Sequence, residues 1–552
     1  MKGRLLFLNG IAALGFILIS FTVYNLQIGN GDYYVSRANA QNEAAQTFEA
    51  KRGNIYFTDK YGAKVPAAIT KEFPKIFAVP KEIKNKGVDI EETARLLSEI
   101  TGLEVGEIEE KLGKENREYE LLVDKADEEL AARVGRLGIE GIYVDAEKHR
   151  YYPLGEQGAQ VLGFVGLSEN NDLPTGLYGV EAYHNESLVG EARRFRFGSL
   201  TDSIPGEDIN LTIDTNIQGQ AEEILRNLME RYSAEGGSVI VQNPQTGEIL
   251  AMVNAPNFDP NNYSEVGDVS NFRNAVVQSI YEPGSIFKII TVAAGIDSGA
   301  ITPRTSFYDT GEAVLNGKTI RNWDLKAYGN MTIAEGIEHS VNTAMVFAEQ
   351  RIGHETFYKY LKDFGLKEFS DIDLPGEALG SLAPLEKDIQ DINYATASFG
   401  QGVSVTPIRL ITAISAIAND GVLMRPYIDA NKNPARVRRV VDVETARQVT
   451  DIMVSAVKIN YVADIPHYDV AGKTGTAQVP DLKNGGYLEF SEGLINTYVG
   501  FAPASHPQFT ILIKLDKPAG SPLAGQTVVP AFKELAEFIL NYYQIPPDNL
   551  DD

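Results

Sequence analysis

Residues 281–290 read YEPGSIFKII, a turn that leads into an apolar helix. Pro283 and Gly284 mark the turn, and apolar side chains on nearly every following face predict a helix buried in a core. Ser285 and Lys288 are three residues apart, so one helical turn places them on the same face. A serine hydroxyl needs a base to become a nucleophile, and a lysine can be that base if burial or a nearby cation lowers its pKa. The stretch therefore predicts a nucleophilic serine.

The Ser-x-x-Lys spacing alone does not establish this chemistry. The same spacing occurs at Ser455 and Lys458, where no Pro-Gly turn precedes it and the pattern is that of an ordinary amphipathic helix. A two-residue pattern recurs by chance in a chain of 552 residues, so other residues have to support the site.

The composition argues against several classes of protein. A net charge of −25 disfavours binding to nucleic acid or to anionic lipid, because like charges repel. The absence of cysteine excludes a disulfide, an iron–sulfur cluster and a thiol nucleophile. The six histidines are scattered without metal-ligand spacing. We therefore expect no nucleic-acid partner, no cofactor, no catalytic metal and no histidine-based triad.

Near the N-terminus, Lys2 and Arg4 precede an uncharged run whose apolar part is residues 5–24. About 20 apolar residues can cross a bilayer as a helix, and the basic N-terminus predicts a cytoplasmic start. A buried soluble helix rarely lacks charge for so long. A cleaved signal peptide would have a shorter apolar run and a nearer small-x-small site than the Ala-Asn-Ala at residues 38–40. We expect an uncleaved single-pass anchor with the catalytic region outside the cell membrane.

Residues 32–206 form a mixed region without a catalytic constellation. Its pattern predicts charged amphipathic helices at residues 91–100, 104–114 and 125–137 and short β-prone pieces at residues 52–57 and 141–144. Clusters of turn-forming and charged residues stand at 52–55, 150–153 and 176–181.

From residue 207 onwards, strands are followed by helices and then again by strands. A strand at residues 210–214 runs into a helix at 216–232, and residues 238–253 carry a hairpin signal. Two β-rich runs at 496–502 and 508–515 precede a final amphipathic helix at 530–543. This order predicts an α+β fold with an antiparallel sheet.

Two further short motifs follow Ser285. Ser340-Val341-Asn342 comes after a predicted helix at residues 332–339, and Lys473-Thr474-Gly475 stands in a β-prone stretch. Each motif is weak alone. In this order, the three are the signature set of penicillin-recognising serine acyl-transferases.

The chain therefore resembles a class B penicillin-binding protein, a monofunctional peptidoglycan D,D-transpeptidase. Three stretches are most similar in sequence to the division-type, FtsI-like members: YEPGSIFKIITVAAGI at residues 281–296, ASFGQG at 397–402 and GKTGTAQVP at 472–480. The resemblance covers nearly the whole chain. It implies a transmembrane anchor, a mixed α/β pedestal of the dimerisation type, and a penicillin-binding/β-lactamase-like transpeptidase domain with an antiparallel sheet flanked by helices. Their bounds are residues 1–27, 28–206 and 207–552.

The resemblance also implies catalytic roles. Ser285 would attack the penultimate carbonyl of a stem peptide ending in D-Ala-D-Ala, and Lys288 would accept its proton. A second cation at Lys473 would keep Lys288 neutral, because like charges lower the pKa of a lysine. Ser340 would relay a proton to the leaving amine, and Asn342 would bind the substrate backbone and help to hold Lys288.

Substrate binding is implied for the Lys-Thr-Gly strand. Lys473, Thr474 and Thr476 would receive the carboxylate of the substrate, since a fixed cation and hydroxyl groups suit that anion. Gly475 would let the ligand approach the strand backbone. The backbone N–H groups of Ser285 and Thr476 would form the oxyanion hole.

The three clusters before residue 206 match the pedestal motifs of the family, which implies a charge network of Arg52, Arg150 and Glu181. One departure is present. The family usually has Asp-Arg-Asn-Gly after the first cluster, whereas residues 59–62 read Asp-Lys-Tyr-Gly, which leaves the local pairing open.

The implied partners are peptidoglycan stem peptides on lipid-linked or nascent glycan, β-lactam antibiotics, a membrane-embedded glycan polymerase and division proteins. Septal wall synthesis is the favoured role. Three alternatives remain: side-wall synthesis, a D,D-carboxypeptidase or β-lactamase-like hydrolase, and a non-catalytic scaffold of a division complex.

Overall fold

The computed structural model describes Phe16 and most of the chain from Ala50 onwards; the described ranges are 50–168, 171–191, 195–196, 199–200, 203–387, 389–481, 486–489, 493–520 and 522–549. The predicted membrane anchor at residues 5–24 lies outside this set apart from Phe16. Within the described ranges, no helix combines the length and the apolar character that a membrane crossing requires.

Contacts between Cα atoms divide the chain into two compact units. One unit comprises Met1–Gly53 and Glu186–Glu207, and the other comprises Asn54–Asn185 and Asp208–Asp552. In the described part of the first unit, the Gly53 backbone N–H donates to the Leu188 carbonyl at 2.9 Å. All residues of the predicted catalytic site belong to the second unit.

Two five-stranded sheets organise the second unit. The first has the strand order Glu120–Val123, Val65–Ala78, Ile55–Thr58, Ile209–Asp214, with Ile142–Tyr151 also paired to Val65–Ala78. Ile209–Asp214 runs parallel to Ile55–Thr58, whereas the other pairings are antiparallel. A strand that follows the predicted domain boundary at residue 206 therefore shares a sheet with a strand that precedes it.

Helices Pro80–Lys86, Ile90–Thr101, Val105–Leu112 and Glu128–Leu137 accompany the first sheet. The last three lie close to the bounds that the sequence predicts, whereas the first was not predicted. Their ends follow local chemistry. The Asp89 side chain accepts the Glu92 N–H, and the Asp127 side chain accepts the Leu130 N–H, which satisfies donors that a helix start leaves free. Apolar residues of these helices and strands form one buried cluster that includes Ile76.

The second sheet is fully antiparallel, as the sequence predicts. Its strand order is Ile249–Ala255, Gly236–Gln242, Phe509–Asp516, Leu494–Ala502, Ala471–Gln478. The strand with the Lys-Thr-Gly motif therefore lies at the end of this order, where one side of its backbone is left for other partners.

Helices cover both faces of the second sheet. On one face, Val239 and Val241 pack in a buried cluster with helices Thr215–Tyr232 and Val528–Tyr543. On the other face, helix Pro407–Ala418 is buried along its whole length. Its Ser415 hydroxyl donates to the Gln242 side chain at 2.8 Å, which fixes this helix against the alternate side chains of the strand.

Further α-helices and short strands belong to the second unit. The helices are Ala159–Leu162, Gly179–Tyr183, Ala275–Gln278, Lys288–Asp297, Ile333–Glu338, Asn342–Ile352, His354–Asp363, Ala383–Lys387, Asp391–Ala397 and Val443–Asn460. The paired short strands are Val165–Ser168 with Asn171–Gly176, Ser306–Asp309 with Gly329–Thr332, Glu312–Leu315 with Lys318–Arg321, and Val422–Met424 with Arg436–Arg439.

Candidate active site

The predicted nucleophile lies on a single 3₁₀ turn, Gly284–Phe287, that continues directly into helix Lys288–Asp297. A 3₁₀ turn has three residues per turn, so side chains at positions i and i+3 lie above one another. Ser285 is half-buried, whereas the following helix is buried from Lys288 to Gly295. The serine is thus accessible at the end of a rigid core helix.

Glycines at two neighbouring segments let the serine turn fit between them. A Cβ at Gly400 would lie 2.2 Å from the Gly284 carbonyl oxygen, and the Gly284 N–H donates to the Gly400 carbonyl at 3.1 Å. A Cβ at Gly475 would lie 3.0 Å from the Pro283 carbonyl oxygen. The turn is therefore pressed between the 397–402 loop and the edge strand, and only a residue without a side chain fits at Gly400.

The Lys288 amine makes three hydrogen bonds. It donates to the Ser340 carbonyl at 2.6 Å, to the Ser340 hydroxyl at 3.3 Å and to Oδ1 of Asn342 at 2.8 Å. Ser340 reaches this geometry through a left-handed backbone, with φ of 56° between helices Ile333–Glu338 and Asn342–Ile352. Such a conformation is uncommon for a residue other than glycine and is typical of functional sites.

A network behind Asn342 fixes its side-chain amide. Its Nδ2 donates to the Arg321 carbonyl at 2.9 Å, which turns Oδ1 towards Lys288. The backbone N–H of Asn342 donates to the Asn322 side chain at 3.1 Å. Asn322 in turn donates to the buried Asp309 carboxylate at 2.9 Å.

The edge strand Ala471–Gln478 brings a second amine into the same place. Lys473 Nζ donates to the Ser340 hydroxyl at 3.0 Å and lies 3.3 Å from the Thr474 carbonyl oxygen. Gly472 is required beside it, because a Cβ there would stand 2.0 Å from the Tyr498 hydroxyl oxygen on the neighbouring strand. Ser340 therefore receives hydrogen bonds from both lysines.

Both amines are buried, and neither forms an ion pair with a carboxylate of the described residues. Burial, together with the nearby Lys473 cation, holds the pKa of Lys288 well below its ordinary value. Burial alone lowers the pKa of Lys473 to about 7. Neutral amine is therefore available near pH 7, which is what a general base requires.

The structure thus brings Lys288, Ser340, Asn342 and Lys473 into one hydrogen-bonded cluster. Ser285 lies one turn before Lys288, and its hydroxyl has no hydrogen-bond partner among the described residues. Thr474, Gly475 and Thr476, for which substrate binding is predicted, follow Lys473 along the edge strand. The second Ser-x-x-Lys pair is elsewhere, inside helix Val443–Asn460.

Comparisons with known proteins agree with this geometry. The family model of the penicillin-binding protein transpeptidase domain matches residues 237–537. The chain belongs to the penicillin-binding protein transpeptidases. The penicillin-binding protein dimerisation domain matches residues 47–193, so this is a two-domain, class B penicillin-binding protein, as the sequence motifs indicate.

Curated relatives of this penicillin-binding protein extend along nearly its whole length. Stage V sporulation protein D of Bacillus subtilis is 33% identical and aligns with 96% of this chain and 84% of its own. The probable peptidoglycan D,D-transpeptidase PenA of Neisseria meningitidis is 30% identical over 98% and 91%. The peptidoglycan D,D-transpeptidase FtsI of Escherichia coli is 28% identical over 99% and 93%. The chain is accordingly a serine-type D,D-transpeptidase.

Solved structures show the same fold. Penicillin-binding protein 2X of Streptococcus thermophilus has a TM-score of 0.73 at 22% identity, over 90% of this chain and 80% of its own. Penicillin-binding protein 3 of Mycobacterium tuberculosis, crystallised with aztreonam, has a TM-score of 0.68 at 26% identity, over 90% and 97%.

Two features of this penicillin-binding protein's site have no signal in the sequence. The Ser340 carbonyl, which is the nearest acceptor for Lys288, is a backbone atom that every residue has. Asn322 supports the start of helix Asn342–Ile352 by accepting the N–H groups of Asn342 and Thr343. It belongs to no motif, and its only sequence feature is its place in a polar run between two β-prone pieces.

Part of the predicted pedestal network is present. Arg150 Nε donates to a Glu181 carboxylate oxygen at 2.5 Å, and both side chains are buried. The participation of Arg52 in this charge network stays a prediction. Residues 59–62, Asp-Lys-Tyr-Gly, differ from the family pattern. Here Asp59 accepts the Tyr61 and Ala63 N–H groups, and Lys60 Nζ donates to the Tyr542 carbonyl at 2.8 Å. Lysine therefore ties this turn to the final helix.

Proposed function

We propose that this D,D-transpeptidase cross-links stem peptides through an acyl-enzyme on Ser285, during septal wall synthesis. The observation that carries the proposal is the environment of Lys288. Its amine is fully buried, has a lowered pKa, and is held by Ser340 and Asn342 one turn after the accessible serine. A lysine in this state can accept the proton of a serine hydroxyl.

Acylation would proceed in two steps. The neutral Lys288 amine takes the Ser285 proton while Oγ bonds to the penultimate D-Ala carbonyl carbon, and the N–H groups of Ser285 and Thr476 stabilise the oxyanion. The C–N bond then breaks, and the leaving D-Ala amine receives a proton from the Ser340 hydroxyl. The Lys288 ammonium, whose nitrogen lies 3.3 Å from the Ser340 oxygen, then returns a proton to Ser340. The amine of Lys288 is neutral again at the end of the step.

Transfer reverses this sequence with another amine. The acceptor amine of a neighbouring stem attacks the ester carbonyl, loses a proton through Ser340 and Lys288, and forms the new peptide bond. Ser285 Oγ leaves and recovers its proton. A β-lactam would acylate the same oxygen and remain attached, because its ring-opened leaving group stays on the ester.

The carboxylate of the donor would bind at the edge strand. Lys473 is the cation there, and Thr474 and Thr476 supply half-exposed hydroxyls beside it. A carboxylate would raise the pKa of the Lys473 amine again, since an opposite charge favours the ammonium form. Donor binding and charging of Lys473 are thus coupled.

A fluorescent penicillin tests the nucleophile. Ser285→Ala is expected to abolish labelling of the full-length protein. Ser455→Ala is the matched control, because Ser455 has the same Ser-x-x-Lys spacing on helix Val443–Asn460 and should label normally. Labelling that persists in Ser285→Ala, or that is lost only in Ser455→Ala, would exclude Ser285 as the nucleophile.

The reaction type requires a separate experiment. A stem-peptide donor incubated with and without an amine acceptor should yield a cross-linked product that depends on the acceptor. Release of D-Ala by water alone would favour a D,D-carboxypeptidase or β-lactamase-like hydrolase. Complementation of a depletion strain by Ser285→Ala would favour a non-catalytic scaffold.

The cellular assignment extends the same proposal. Residues 1–27 would anchor the chain in the cell membrane, residues 28–206 would form the pedestal, and residues 207–552 would act outside. The partners would be a membrane-embedded glycan polymerase and division proteins. A tagged protein that locates along the side wall, and not at the septum, would favour the elongation role.

A further inference from the structure

Three potential metal ligands meet at a place that the transpeptidase chemistry does not use. They are His184, which follows helix Gly179–Tyr183, Asp373, and Asp429. One ligand atom from each lies within 4.8 Å of the other two. All three residues belong to the larger compact unit, but they come from separate parts of the chain. Because the three residues are far apart along the chain, the sequence shows no metal-ligand spacing for this cluster.

The His184 imidazole lacks a partner that its position demands. Its Nε2 atom is buried and has no hydrogen-bond partner among the described residues. If Nε2 carries a proton, a buried donor is left unused, and if it carries a lone pair, a buried acceptor is left unused. Both arrangements are unfavourable in a buried site. A cation between the three residues would satisfy the nitrogen and both carboxylates at once.

Asp373 is fully buried and already oriented for such a role. One of its oxygens accepts the Ile428 N–H at 2.9 Å, and the other accepts the Asp429 N–H at 2.6 Å. Asp429 Oδ1 also accepts the Asn431 N–H at 2.9 Å. Outer hydrogen bonds of this kind are what fix carboxylate ligands around metal ions.

We propose that His184, Asp373 and Asp429 bind one divalent zinc-type ion. One imidazole and two carboxylates suit Zn²⁺, which often takes three protein ligands and a water molecule. Zinc ligands at about 2.0–2.2 Å from the metal lie roughly 3.3–3.6 Å apart. The three side chains, whose ligand atoms lie within 4.8 Å of one another, therefore have to close in around the ion. The ion would clamp the segment after helix Gly179–Tyr183 onto the Asp373 and Asp429 loops of the transpeptidase region.

One cation already competes for this place. Lys432 Nζ lies 3.7 Å from Asp373 Oδ2, and its side chain is 40% exposed, so it can swing into solvent. Removing this amine separates two explanations. If the acidic pair exists to hold a metal, Lys432→Met should bind the metal more tightly. If the pair exists only to hold Lys432, the variant should lose stability and gain no affinity.

The test uses full-length protein in detergent, stripped with a chelator and titrated with Zn²⁺ in a calorimeter. The wild type should bind one ion per chain and unfold at a higher temperature with Zn²⁺ than without it. His184→Asn and Asp429→Asn should each lower the affinity at least ~10-fold, and Lys432→Met should raise it. Penicillin labelling of each variant checks that the transpeptidase domain is folded.

A matched control is His354→Asn. His354 also stands beside two carboxylates, with Nε2 3.6 Å from Glu349 and 3.7 Å from Asp391, and it should have no influence on the affinity. Co²⁺ in place of Zn²⁺ should give visible absorption bands that disappear in His184→Asn. The proposal is overturned if the wild type binds no Zn²⁺, if His184→Asn binds it equally well, or if the binding is lost in His354→Asn.

Discussion

Lys288 and Lys473 reach the same oxygen atom from different elements of the fold. Their Nζ atoms lie 3.3 Å and 3.0 Å from the Ser340 hydroxyl, one at the start of a core helix and the other on the edge strand. Two ammonium groups this close in a buried site repel each other, so at least one amine is expected to be neutral. In the proposed mechanism, the protonation of this pair decides when Ser285 can be activated.

The pH profile of acylation follows from this pairing. The second-order rate constant for acylation by a penicillin should rise as Lys288 loses its proton and fall as Lys473 loses its own, with the falling limb near pH 7. In Lys473→Gln, the residual rate should lose the falling limb. Its rising limb should move to higher pH, because removal of a like charge raises the pKa of Lys288. Stopped-flow acylation across the neutral range measures both limbs, and an unmoved rising limb would contradict the coupling.

Lys473 should also lower the stability of the folded protein. Its pKa falls from 10.5 in the unfolded chain to about 7 in the fold, so the unfolded state binds more protons between these values. The cost is therefore complete below pH 7 and disappears as the pH rises towards 10.5. At pH 6 the free energy of unfolding of Lys473→Met should exceed that of the wild type by on the order of 2–4 kcal/mol, so the variant should unfold at a higher temperature. The variant should also lose acylation.

The comparison at alkaline pH is the control for this stability effect. At pH 9 the difference in unfolding free energy between the two proteins should fall to about half of its value at pH 6, because the pH is then about two units above the folded-state pKa and about 1.5 units below that of the unfolded chain. Thermal unfolding of both proteins at the two pH values gives the result. A difference that is independent of pH would mean that packing, and not charge, is responsible.

The resemblance of the three motifs to those of penicillin-binding proteins implied that Lys288, Ser340, Asn342 and Lys473 lie together, and hydrogen bonds join these four residues. The sequence also predicted the outer elements well: the helix expected at residues 530–543 is Val528–Tyr543, and the strand expected at 496–502 is Leu494–Ala502. The helix has an amphipathic pattern, and the strand is a short run rich in β-prone residues, so both are indicated by local sequence.

Contacts between distant segments could not be predicted in the same way. The left-handed φ of Ser340 and the use of its carbonyl by Lys288 depend on how two helices meet. The parallel pairing of Ile209–Asp214 with Ile55–Thr58 joins strands on either side of an expected boundary. No local pattern records such contacts, because they are set by tertiary packing.

Asn342 orients the Lys288 amine without adding a charge beside it. Its amide oxygen is 2.8 Å from Nζ, so Asn342→Asp would place a carboxylate there and raise the pKa of Lys288. Acylation at pH 7 should fall at least ~10-fold, with the rising limb moved to higher pH by about one unit or more. Asn342→Ala is the comparison, since it removes the hydrogen bond without adding charge. Equal pH profiles for the two variants would show that charge at this position is irrelevant.

The contact of Gly400 with the serine turn predicts the effect of one methyl group. A Cβ at Gly400 would stand 2.2 Å from the Gly284 carbonyl oxygen, so Gly400→Ala must displace the turn that carries Ser285. Gly402 is the matched control. Its φ of 75° is close to the 78° of Gly400, but the nearest atom to its Cβ would be Thr396 Oγ1 at 3.6 Å. Both variants bear the strain of a left-handed alanine, about 1 kcal/mol, and only Gly400→Ala adds a collision.

We expect at least a ~10-fold loss of penicillin acylation in Gly400→Ala and near-normal acylation in Gly402→Ala, because misplacement of a nucleophile by a fraction of an ångström is costly. Similar acylation rates in the two variants would mean that the 397–402 loop does not position the serine.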